Sequence, residues 1–285
     1  MLLDEPMSRH TSLKVGGPAD IYAVPEDISD LQHLVEQLAA GQIPWLAIGR
    51  GYNLLVRKGG IRGAVISLER FNRIDVAGEG QVRAEAGAEN LAVVRFAQER
   101  GLGGIGFISG IPGTIGGAIR MNAGAYGEGI LQRTVCMKLL RQCKVAEFCI
   151  NELEYGYRRL DLNQGDLVLS ATFQLESRDQ EVTEEEIRKD LELRRSKHNV
   201  GFPSAGSFFK NPAGQASWKL IDAAGMRGVS EGGALVSPVH SNFLVNTGSA
   251  TATDFLRLSA RVKEAVLENC GVVLEEEVRI VGEEQ

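Results

Sequence analysis

The sequence predicts an α+β protein, and three observations lead to that class. Predicted helices and strands are mixed along the chain without strict β-α-β alternation. Only 15 positions separate Gly49, in a first glycine loop, from the next predicted strand at Ala64. This segment is too short to contain the helix and turns of a parallel crossover. Residues 167–175 are apolar at every second position, which is the pattern of a strand with one buried face.

Apolar spacing and turn residues define the elements of the first half. A strand at Asp20–Val24 ends at Pro25, and Ser29 is predicted to cap a helix that Gly41 stops. Further on, the pattern predicts strands at Trp45–Ile48, Ala64–Leu68 and Val82–Glu85, a helix at Asn90–Arg100 that ends at Gly101, and mixed strands from Arg133 to Phe148.

A break in composition marks the predicted domain boundary. The stretch Glu176–Lys197 is highly charged, and Thr183 with Glu186 predicts a capping box for a helix through about Arg195. We therefore expect one domain over residues 1–180, in two lobes that meet near residues 65–70, and a second over 181–285. The second contains predicted helices at Ser217–Ala224 and Thr253–Asn269, the latter ended by Gly271, and predicted strands at Asn242–Val245 and Val272–Val281.

Composition limits the classes of partner. The 285 residues carry a net charge of −6, a pI near 5.4 and a mean hydropathy of −0.08. An acidic chain gains no long-range attraction to nucleic acid or anionic lipid, so we expect neither as a partner. The N-terminal residues lack the pattern of a signal peptide and no long apolar run occurs, which favours a cytoplasmic protein without a membrane span.

The four cysteines do not indicate a metal site. Cys136, Cys143, Cys149 and Cys270 have spacings that match no zinc pattern, so no metal is expected. We expect them to be reduced, partly buried residues of a cytosolic protein. The sequence assigns them no role.

Two glycine loops are the main functional signal. The first, GRGYNLLVRKGG at Gly49–Gly60, follows a buried strand but lacks the third glycine and the helix of a dinucleotide fingerprint. Its amides can still form an anion-binding nest, and a plain turn is the alternative. The second, GIPGTIGGAIRMNAGAYG at residues 110–127, has six glycines and one charged residue, Arg120. Bare, neutral backbone of this kind suits a flat redox ring or, alternatively, a buried chain reversal.

A family resemblance favours the ligand interpretation. Both glycine loops, together with HTSLKVGGPAD, YGYR, PSAGSFFKNP, KLIDAAGMRG and LEEEVRIVG, occur in the order typical of UDP-N-acetylenolpyruvoylglucosamine reductase. The resemblance extends from about His10 to Gly282. It implies an FAD-binding domain of the vanillyl-alcohol-oxidase type followed by a smaller α+β substrate-binding domain. The short span from Tyr157 to Ser204 resembles the branch without an extra tyrosine-bearing substrate loop.

The resemblance also implies the reaction and its cofactors. NADPH reduces FAD, and the flavin then reduces UDP-N-acetylglucosamine enolpyruvate to UDP-N-acetylmuramate for peptidoglycan. FAD is expected to bind without a covalent bond, because neither glycine loop contains His or Cys. The expected FAD contacts are Gly49, Arg50, Gly51, Tyr52, Asn53, Leu54, Pro112, Gly113, Thr114, Gly116, Gly117, Ala118, Asn122 and Gly124. A monomer is expected.

Three residues are implied to carry the chemistry. Ser207 is the proton donor by resemblance, although a turn serine is its alternative from the residues alone. Arg158 matches the arginine that follows a tyrosine, and its planar guanidinium suits a carboxylate or enolate. By resemblance, Glu277 takes part in proton delivery or in stabilising the enolate, although a solvated face is the alternative for the charged run Glu275–Glu277. Alternation in the predicted terminal strand puts it on the face opposite Val278, away from the buried side.

Further residues are candidates for substrate binding. They are Tyr157, Arg194, Lys197, Lys210, Asn211, His240 and Arg279. An exposed helix end is the alternative for Arg194 and Lys197, and a structural role is the alternative for His240. Several positions depart from the family pattern. Tyr52 replaces a usual serine, Arg57 and Lys58 replace a usual acid, and residues 198–200 (HNV) replace a common Gln-Pro. A flavin oxidase on the same cofactor fold and a nucleotide-sugar binding protein without redox chemistry are the competing functions.

Overall fold

Caps and apolar spacing determine where the helices begin and end in the computed structural model, which describes residues 1–125 and 127–284, without the side chains of Lys197 and His198. The helices of these residues are α1 (Ile28–Ala40), α2 (Asn90–Gln98), α3 (Ile115–Arg120), α4 (Gln180–His198), α5 (Ser217–Ala223) and α6 (Ala252–Cys270).

Two predicted helix caps were wrong by two to four positions. The carboxylate of Asp27, not Ser29, accepts the Asp30 N–H at the start of α1, at 2.8 Å. In α4, Asp179 accepts the N–H groups of Glu181 and Val182, so the helix begins ahead of the predicted capping box at Thr183. An aspartate preceded each predicted cap and competed successfully for the same role.

The last helix follows its prediction closely. Thr251 and Asp254 form a capping box at the start of α6. Gly271 ends the helix with a φ of 67°, a left-handed conformation that glycine adopts without strain.

The strands are mostly short. They are β1 (Leu2–Pro6), β2 (Pro18–Ala23), β3 (Trp45–Ile48), β4 (Leu54–Val56), β5 (Ile61–Ser67), β6 (Ile74–Gly78), β7 (Gln81–Glu85), β8 (Leu102–Gly103), β9 (Gly124–Ala125), β10 (Glu128–Gly129), β11 (Thr134–Arg141), β12 (Lys144–Cys149), β13 (Tyr155–Gly156), β14 (Arg159–Leu160), β15 (Leu167–Gln174), β16 (Glu176–Ser177), β17 (Ser204–Ser207), β18 (Ser230–Glu231), β19 (Ala234–Val236), β20 (Phe243–Asn246) and β21 (Arg279–Val281).

Packing divides the chain into two units. Unit 1 comprises Met1–Tyr22, Arg50–Ala64 and Arg195–Gln285, and unit 2 comprises Ala23–Gly49 and Val65–Arg194. These units differ from the predicted division at residue 180, because N-terminal segments pack with the C-terminal part and α4 extends beyond the boundary. The division of cofactor and substrate binding between residues 1–180 and 181–285 stays a prediction.

Unit 2 contains an antiparallel sheet of strand order β12-β11-β15-β7-β6. The alternating apolar residues of β15 are buried, as the pattern predicts, and the residues between them are buried as well. Its residues Leu167 to Phe173 are all buried, because the strand is central in the sheet and both of its faces are covered. The core of the unit packs α2, α3 and Ile187 of α4 with this sheet.

Unit 1 contains an antiparallel sheet of order β17-β20-β19-β18. Phe208 and Phe209, directly after β17, are fully buried in a core with Phe255 and Leu258 of α6. Outside this sheet, β1 pairs antiparallel with β2, and β21 pairs parallel with β4.

The predicted terminal strand is much shorter than expected. Only Arg279–Val281 of the predicted Val272–Val281 forms a ladder, with Arg279 opposite Leu54. Glu276 makes an isolated bridge with Phe209, so Glu277 lies just before the strand, between two different pairing partners. Strand alternation is therefore not what orients Glu277, although Val278 is buried as predicted.

Candidate active site

Ser207 lies at the end of β17 in unit 1, close to the backbone of Glu277. It is opposite Phe243 in the ladder and is partly exposed. The next carbonyl, of Phe208, accepts the Glu277 N–H at 2.8 Å. Gly206, just before Ser207, has a φ of 74°, a conformation that disfavours any side chain there. The backbone therefore holds two of the predicted catalytic residues on adjacent segments.

The first glycine loop meets the same segment within unit 1. The Asn53 side chain donates from Nδ2 to the Glu277 carbonyl at 3.0 Å, and the Arg279 N–H donates to the Asn53 carbonyl at 3.1 Å. Leu54 and Arg279 are opposite each other in the ladder; Leu54 is buried and Arg279 is exposed. Asn53 is thus engaged with the protein as well as being a predicted FAD contact.

Neighbouring glutamates have different environments. Glu276 accepts hydrogen bonds from Lys263 Nζ at 3.0 Å and from Ser259 Oγ at 3.2 Å, on α6. Its carboxylate therefore ties the C-terminal segment to that helix. Glu277 is partly buried and does not take part in this ion pair. The structure separates a structural glutamate from the predicted catalytic one.

A glycine is required at the centre of the first loop. Gly51 has a φ of 63°, and a Cβ on it would lie 2.1 Å from the His10 carbonyl oxygen. Its own carbonyl accepts the Ser12 N–H at 3.2 Å. Arg50 and Tyr52, on either side, are exposed. The backbone of the loop thus makes a close contact inside unit 1, and the flanking residues are exposed.

One departure from the family pattern has a structural partner. Arg57 forms an ion pair with Glu284 near the C-terminus. Lys58 is exposed, and its carbonyl oxygen would lie 2.1 Å from a Cβ on Gly17. The Arg57 side chain is therefore engaged within unit 1, whereas Lys58 is exposed.

The second glycine loop packs closely on α2 and β7 in unit 2. A Cβ on Gly116 would lie 2.8 Å from Ala86 Cβ, and the Gly116 N–H donates to the Ala86 carbonyl at 2.8 Å. Gly113 has a φ of 140°. Pro112 and Gly117 are exposed, whereas Ala118 is buried. One face of the loop is therefore packed against the protein, and the other face is accessible to solvent.

Three buried oxygens beside this loop lack hydrogen-bond partners among the described residues. They are Asn90 Oδ1, Ser109 Oγ and Thr114 Oγ1. Buried polar atoms are nearly always bonded, so such a group of atoms indicates a ligand with donors or acceptors of its own. Sequence reasoning missed Asn90 and Ser109. Asn90 is at the start of α2, where it resembles a cap, and Ser109 lies one residue ahead of the glycine-rich stretch.

Thr114 is the clearest of the three. It is the N-cap of α3, yet its side chain makes no capping hydrogen bond. A Cβ on Gly49 would lie 2.5 Å from Thr114 Oγ1, so the glycine leaves this hydroxyl uncovered. A bound group with polar edges and flat faces, such as FAD, fits this cradle of bare backbone and unsatisfied oxygens.

Arg158 is held in a strained turn of unit 2. Its φ is 54°, uncommon for a residue with a side chain, and its Nη2 donates to the Gly124 carbonyl at 3.0 Å. Asn122 supports the same turn, because its Nδ2 donates to the Gly156 carbonyl at 2.8 Å. Arg159 is exposed and pairs with Asp161 at 3.3 Å. The structure therefore directs Arg158, not its neighbour, toward the second glycine loop.

Other predicted substrate contacts are distributed over both units. In unit 2, Tyr157 is 60% exposed, and the Arg194 side chain lies against Gly110, where a Cβ would be 2.8 Å from Arg194 Cδ. The Lys197 side chain lies outside the described residues. In unit 1, Lys210 pairs with Glu275, and Asn211 Oδ1 accepts the Ser217 N–H at 3.0 Å, which caps α5.

His240 in unit 1 is a half-buried, neutral histidine. Its Nδ1 accepts the Asn242 N–H at 3.3 Å, which assigns the ring proton to Nε2 in the neutral form. Its ring meets Phe243 edge-on at 4.8 Å between centroids. Burial is the main cause that lowers the pKa of His240 from the ordinary value of 6.5. A neutral imidazole here can donate one hydrogen bond, but it does not supply a positive charge at neutral pH.

No group of three or more potential metal ligands occurs among residues 1–125 and 127–284. Within the same residues, no helix combines the length and apolar character needed to cross a membrane.

The lowered pKa of His240 predicts a pH dependence of stability. The unfolded chain takes up this proton at a higher pH than the folded chain, so the histidine's stabilising contribution is complete above about pH 6.5 and decreases as the pH falls toward the folded pKa. Urea unfolding at pH 7.5 to 5 should show a smaller loss of stability for His240→Gln than for the parent protein. His33→Gln, which changes an exposed histidine of α1, is the control. Parallel curves for parent and His240→Gln would contradict the assignment.

Comparisons with known proteins show similarity along the whole chain. Residues 19–140 match the FAD binding domain family, and residues 197–281 match the C-terminal domain of UDP-N-acetylenolpyruvoylglucosamine reductase. The reductase of Pelobacter propionicus is 73% identical over 284 residues, covering 100% of this chain and 96% of that protein. The reductase of Geotalea uraniireducens is 52% identical, covering 98% and 93%.

A solved structure has the same fold. The crystal structure of UDP-N-acetylenolpyruvylglucosamine reductase from Thermus caldophilus matches with a TM-score of 0.84 and 32% sequence identity, covering 96% of this chain and 97% of that one. These findings confirm the predicted α+β class, with an FAD-binding domain followed by a domain typical of the reductase. The chain belongs to the UDP-N-acetylenolpyruvoylglucosamine reductase family.

Proposed function

We propose that this chain uses NADPH and FAD to reduce UDP-N-acetylglucosamine enolpyruvate to UDP-N-acetylmuramate, a step of peptidoglycan synthesis. The observation that carries this function is identity of 73% along the whole chain to a protein named for the activity. It is an FAD-dependent oxidoreductase, and its substrate is a UDP-sugar. The cytoplasmic location, the monomeric state and the absence of nucleic-acid and membrane partners remain predictions.

The described residues fit FAD as the cofactor. When bound, FAD takes two electrons from NADPH and passes them to the enolpyruvyl double bond. In unit 2, Thr114 Oγ1, Ser109 Oγ and Asn90 Oδ1 are unsatisfied buried oxygens suited to the polar edges of such a ligand. Gly49 and the 113–118 backbone leave space that side chains would fill. We propose that these residues, with the predicted contacts of both glycine loops, hold the cofactor.

Ser207 and Glu277 are proposed to manage the proton. Reduction of the double bond places negative charge on the carbon next to the carboxylate, and a proton must reach that carbon. Ser207 Oγ is the proposed donor. A hydroxyl is a weak acid, so it needs an environment that favours proton loss in the transition state. The backbone of Glu277 is fixed by its contact with Phe208, and its carboxyl is proposed to assist this proton transfer.

Arg158 is proposed to balance the developing charge. A guanidinium stays protonated and its planar fork matches a carboxylate. Its turn is fixed by Asn122 and by the Gly124 carbonyl, so little side-chain freedom remains to be lost on binding. Tyr157, Arg194, Lys197, Lys210, Asn211, His240 and Arg279 are the proposed substrate contacts, of which Lys210 must exchange its Glu275 partner to reach a ligand.

Half-reaction kinetics test the proposed function. The purified holoprotein should be yellow, should lose its flavin absorbance with NADPH, and should regain it when the enolpyruvyl nucleotide is added. Ser207→Ala should leave the first step intact and slow the second by about 100-fold or more, as expected for loss of a general acid. The matched control is Ser204→Ala, on the same strand.

Two outcomes would contradict this account. Normal reoxidation by substrate in Ser207→Ala would remove the serine from the mechanism. Rapid reoxidation of the parent enzyme by oxygen, with no effect of the nucleotide, would instead favour a flavin oxidase.

Thr114→Val tests the proposed cofactor contact separately from turnover. The substitution removes a buried hydroxyl that has no protein partner, so the apoprotein should be as stable as the parent or slightly more stable. The Kd for FAD should rise by about 3- to 10-fold, the effect of one hydrogen bond of about 1 kcal/mol. Flavin fluorescence titration and urea unfolding of the apoprotein measure the two quantities.

Thr134→Val is the matched control for this pair of measurements. Its buried hydroxyl donates to the Ile130 carbonyl at 3.0 Å, so its loss should lower the free energy of unfolding by about 1 kcal/mol and leave FAD affinity unchanged. Unchanged FAD affinity in Thr114→Val would show that the hydroxyl faces no cofactor group.

A further inference from the structure

The hairpin formed by β11 and β12 in unit 2 has a defined turn. Gln142 and Cys143 form the two-residue loop, and both have positive φ, 49° and 60°. Positive φ at both central positions is the mark of a type I′ turn, whose twist matches that of the flanking strands. In this turn the Arg141 carbonyl and the Lys144 N–H form the closing hydrogen bond, so Arg141 and Lys144 are a hydrogen-bonded pair.

The register then places two cysteines directly opposite each other. The ladder runs without a shift from Arg141↔Lys144 to Cys136↔Cys149. Hydrogen-bonded and non-hydrogen-bonded pairs alternate along an antiparallel ladder. Counting back from the turn, the pair Cys136–Cys149 is a non-hydrogen-bonded pair, the kind in which opposed Cα atoms are about 4.5 Å apart and side chains are closest.

This separation is suitable for a disulfide. Disulfide-bonded cysteines usually have Cα atoms about 4.4–6.8 Å apart, so the backbone need not move appreciably. Opposed residues in an antiparallel pair project from the same face of the sheet. On that face the next pair is Lys138 and Glu147, and Cys149 is itself exposed. An oxidant in solution can therefore reach the pair.

The other cysteines do not share this arrangement. Cys143 lies in the turn, and Cys270 lies at the end of α6 in unit 1, where its Sγ contacts the Leu220 carbonyl at 3.8 Å. Neither is opposite a cysteine in a described ladder. All four are free thiols in the structure.

We propose that Cys136 and Cys149 are a dithiol site that hydrogen peroxide oxidises to a cross-strand disulfide. One thiol reacts with peroxide to give a sulfenic acid and water, and the second thiol then displaces a water molecule from it as the S–S bond forms. The two cysteines together give up two electrons and two protons, and one peroxide becomes two water molecules. A dithiol reductant reverses the bond by thiol exchange.

The surroundings of Cys149 disfavour ionisation of its thiol. Desolvation first, and then the negative charge of Glu152, raises the pKa of the Cys149 thiol. Cys136 and Glu147 act in the same direction. The reactive thiolate of Cys149 is thus a minor form near neutral pH, so we expect its oxidation to require excess peroxide.

The bond would constrain a segment connected to the candidate active site. β12 is the edge strand of its sheet, and the chain continues from Cys149 through residues 150–152 to the hairpin that carries Tyr157 and Arg158. Covalent attachment of β12 to β11 should raise the urea midpoint of the oxidised protein, because it restricts the unfolded chain.

Peptide mapping of the holoprotein tests the proposal. After treatment with excess hydrogen peroxide, alkylation of remaining thiols and digestion without reductant, mass spectrometry should find a linked peptide pair containing residues 136 and 149. Two thiols per chain should be lost and should return with dithiothreitol. Cys149→Ser should eliminate the linked pair and leave Cys136 as a sulfenic acid that dimedone traps. Cys143→Ser and Cys270→Ser, the matched controls, should retain the linked pair.

Three results would overturn the proposal. The first is the absence of the 136–149 linkage in the oxidised parent holoprotein. The second is an equal yield of linkages through Cys143 or Cys270. The third is an equal yield of the 136–149 linkage from protein oxidised in concentrated urea, since the register would then play no part in the pairing.

Discussion

The backbone of Glu277 is the constraint on which the candidate chemistry of unit 1 depends. Its N–H donates to the Phe208 carbonyl at 2.8 Å, and its carbonyl accepts the Asn53 side chain at 3.0 Å. These two bonds join the strand that ends at Ser207 to the first glycine loop. The segment before β21 is not a continuous strand, so these two bonds, together with the isolated bridge between Glu276 and Phe209, hold Glu277 in place.

Unit 2 differs from unit 1 in that several of its buried polar atoms have no hydrogen-bond partner among the described residues. A buried hydroxyl or amide oxygen without a partner costs about 1–3 kcal/mol, and Thr114, Ser109 and Asn90 each contain one. Gly49, Gly113, Gly116 and Gly117 keep the adjacent backbone bare. A cofactor that supplies the missing partners would recover this free energy. The same unsatisfied oxygens would therefore lower the stability of the apoprotein and raise its affinity for the cofactor.

Local pattern predicted much of this architecture. β3 and α5 were predicted within one residue, and the family motifs identified both loops. The pattern did not show that β15 is covered on both faces, because the covering elements are distant in sequence. The wrong caps have a local cause, since Asp27 and Asp179 lie just before the predicted capping residues and compete with them. The choice of Arg158 over Arg159 required a family motif, because the positive φ that orients the turn has no signature in the surrounding residues.

Hydrogen–deuterium exchange of the Glu277 and Arg279 amides tests the central constraint most directly. Both donate to carbonyls, of Phe208 and Asn53, so in the apoprotein they should exchange at least about tenfold more slowly than the amide of Val273, which is 73% exposed and lies outside the described helices and strands. Asn53→Ala should accelerate exchange at 277–279 without affecting β15. Fast exchange at both amides in the parent protein would show that Glu277 is not fixed beside Ser207, and the account of unit 1 would be wrong.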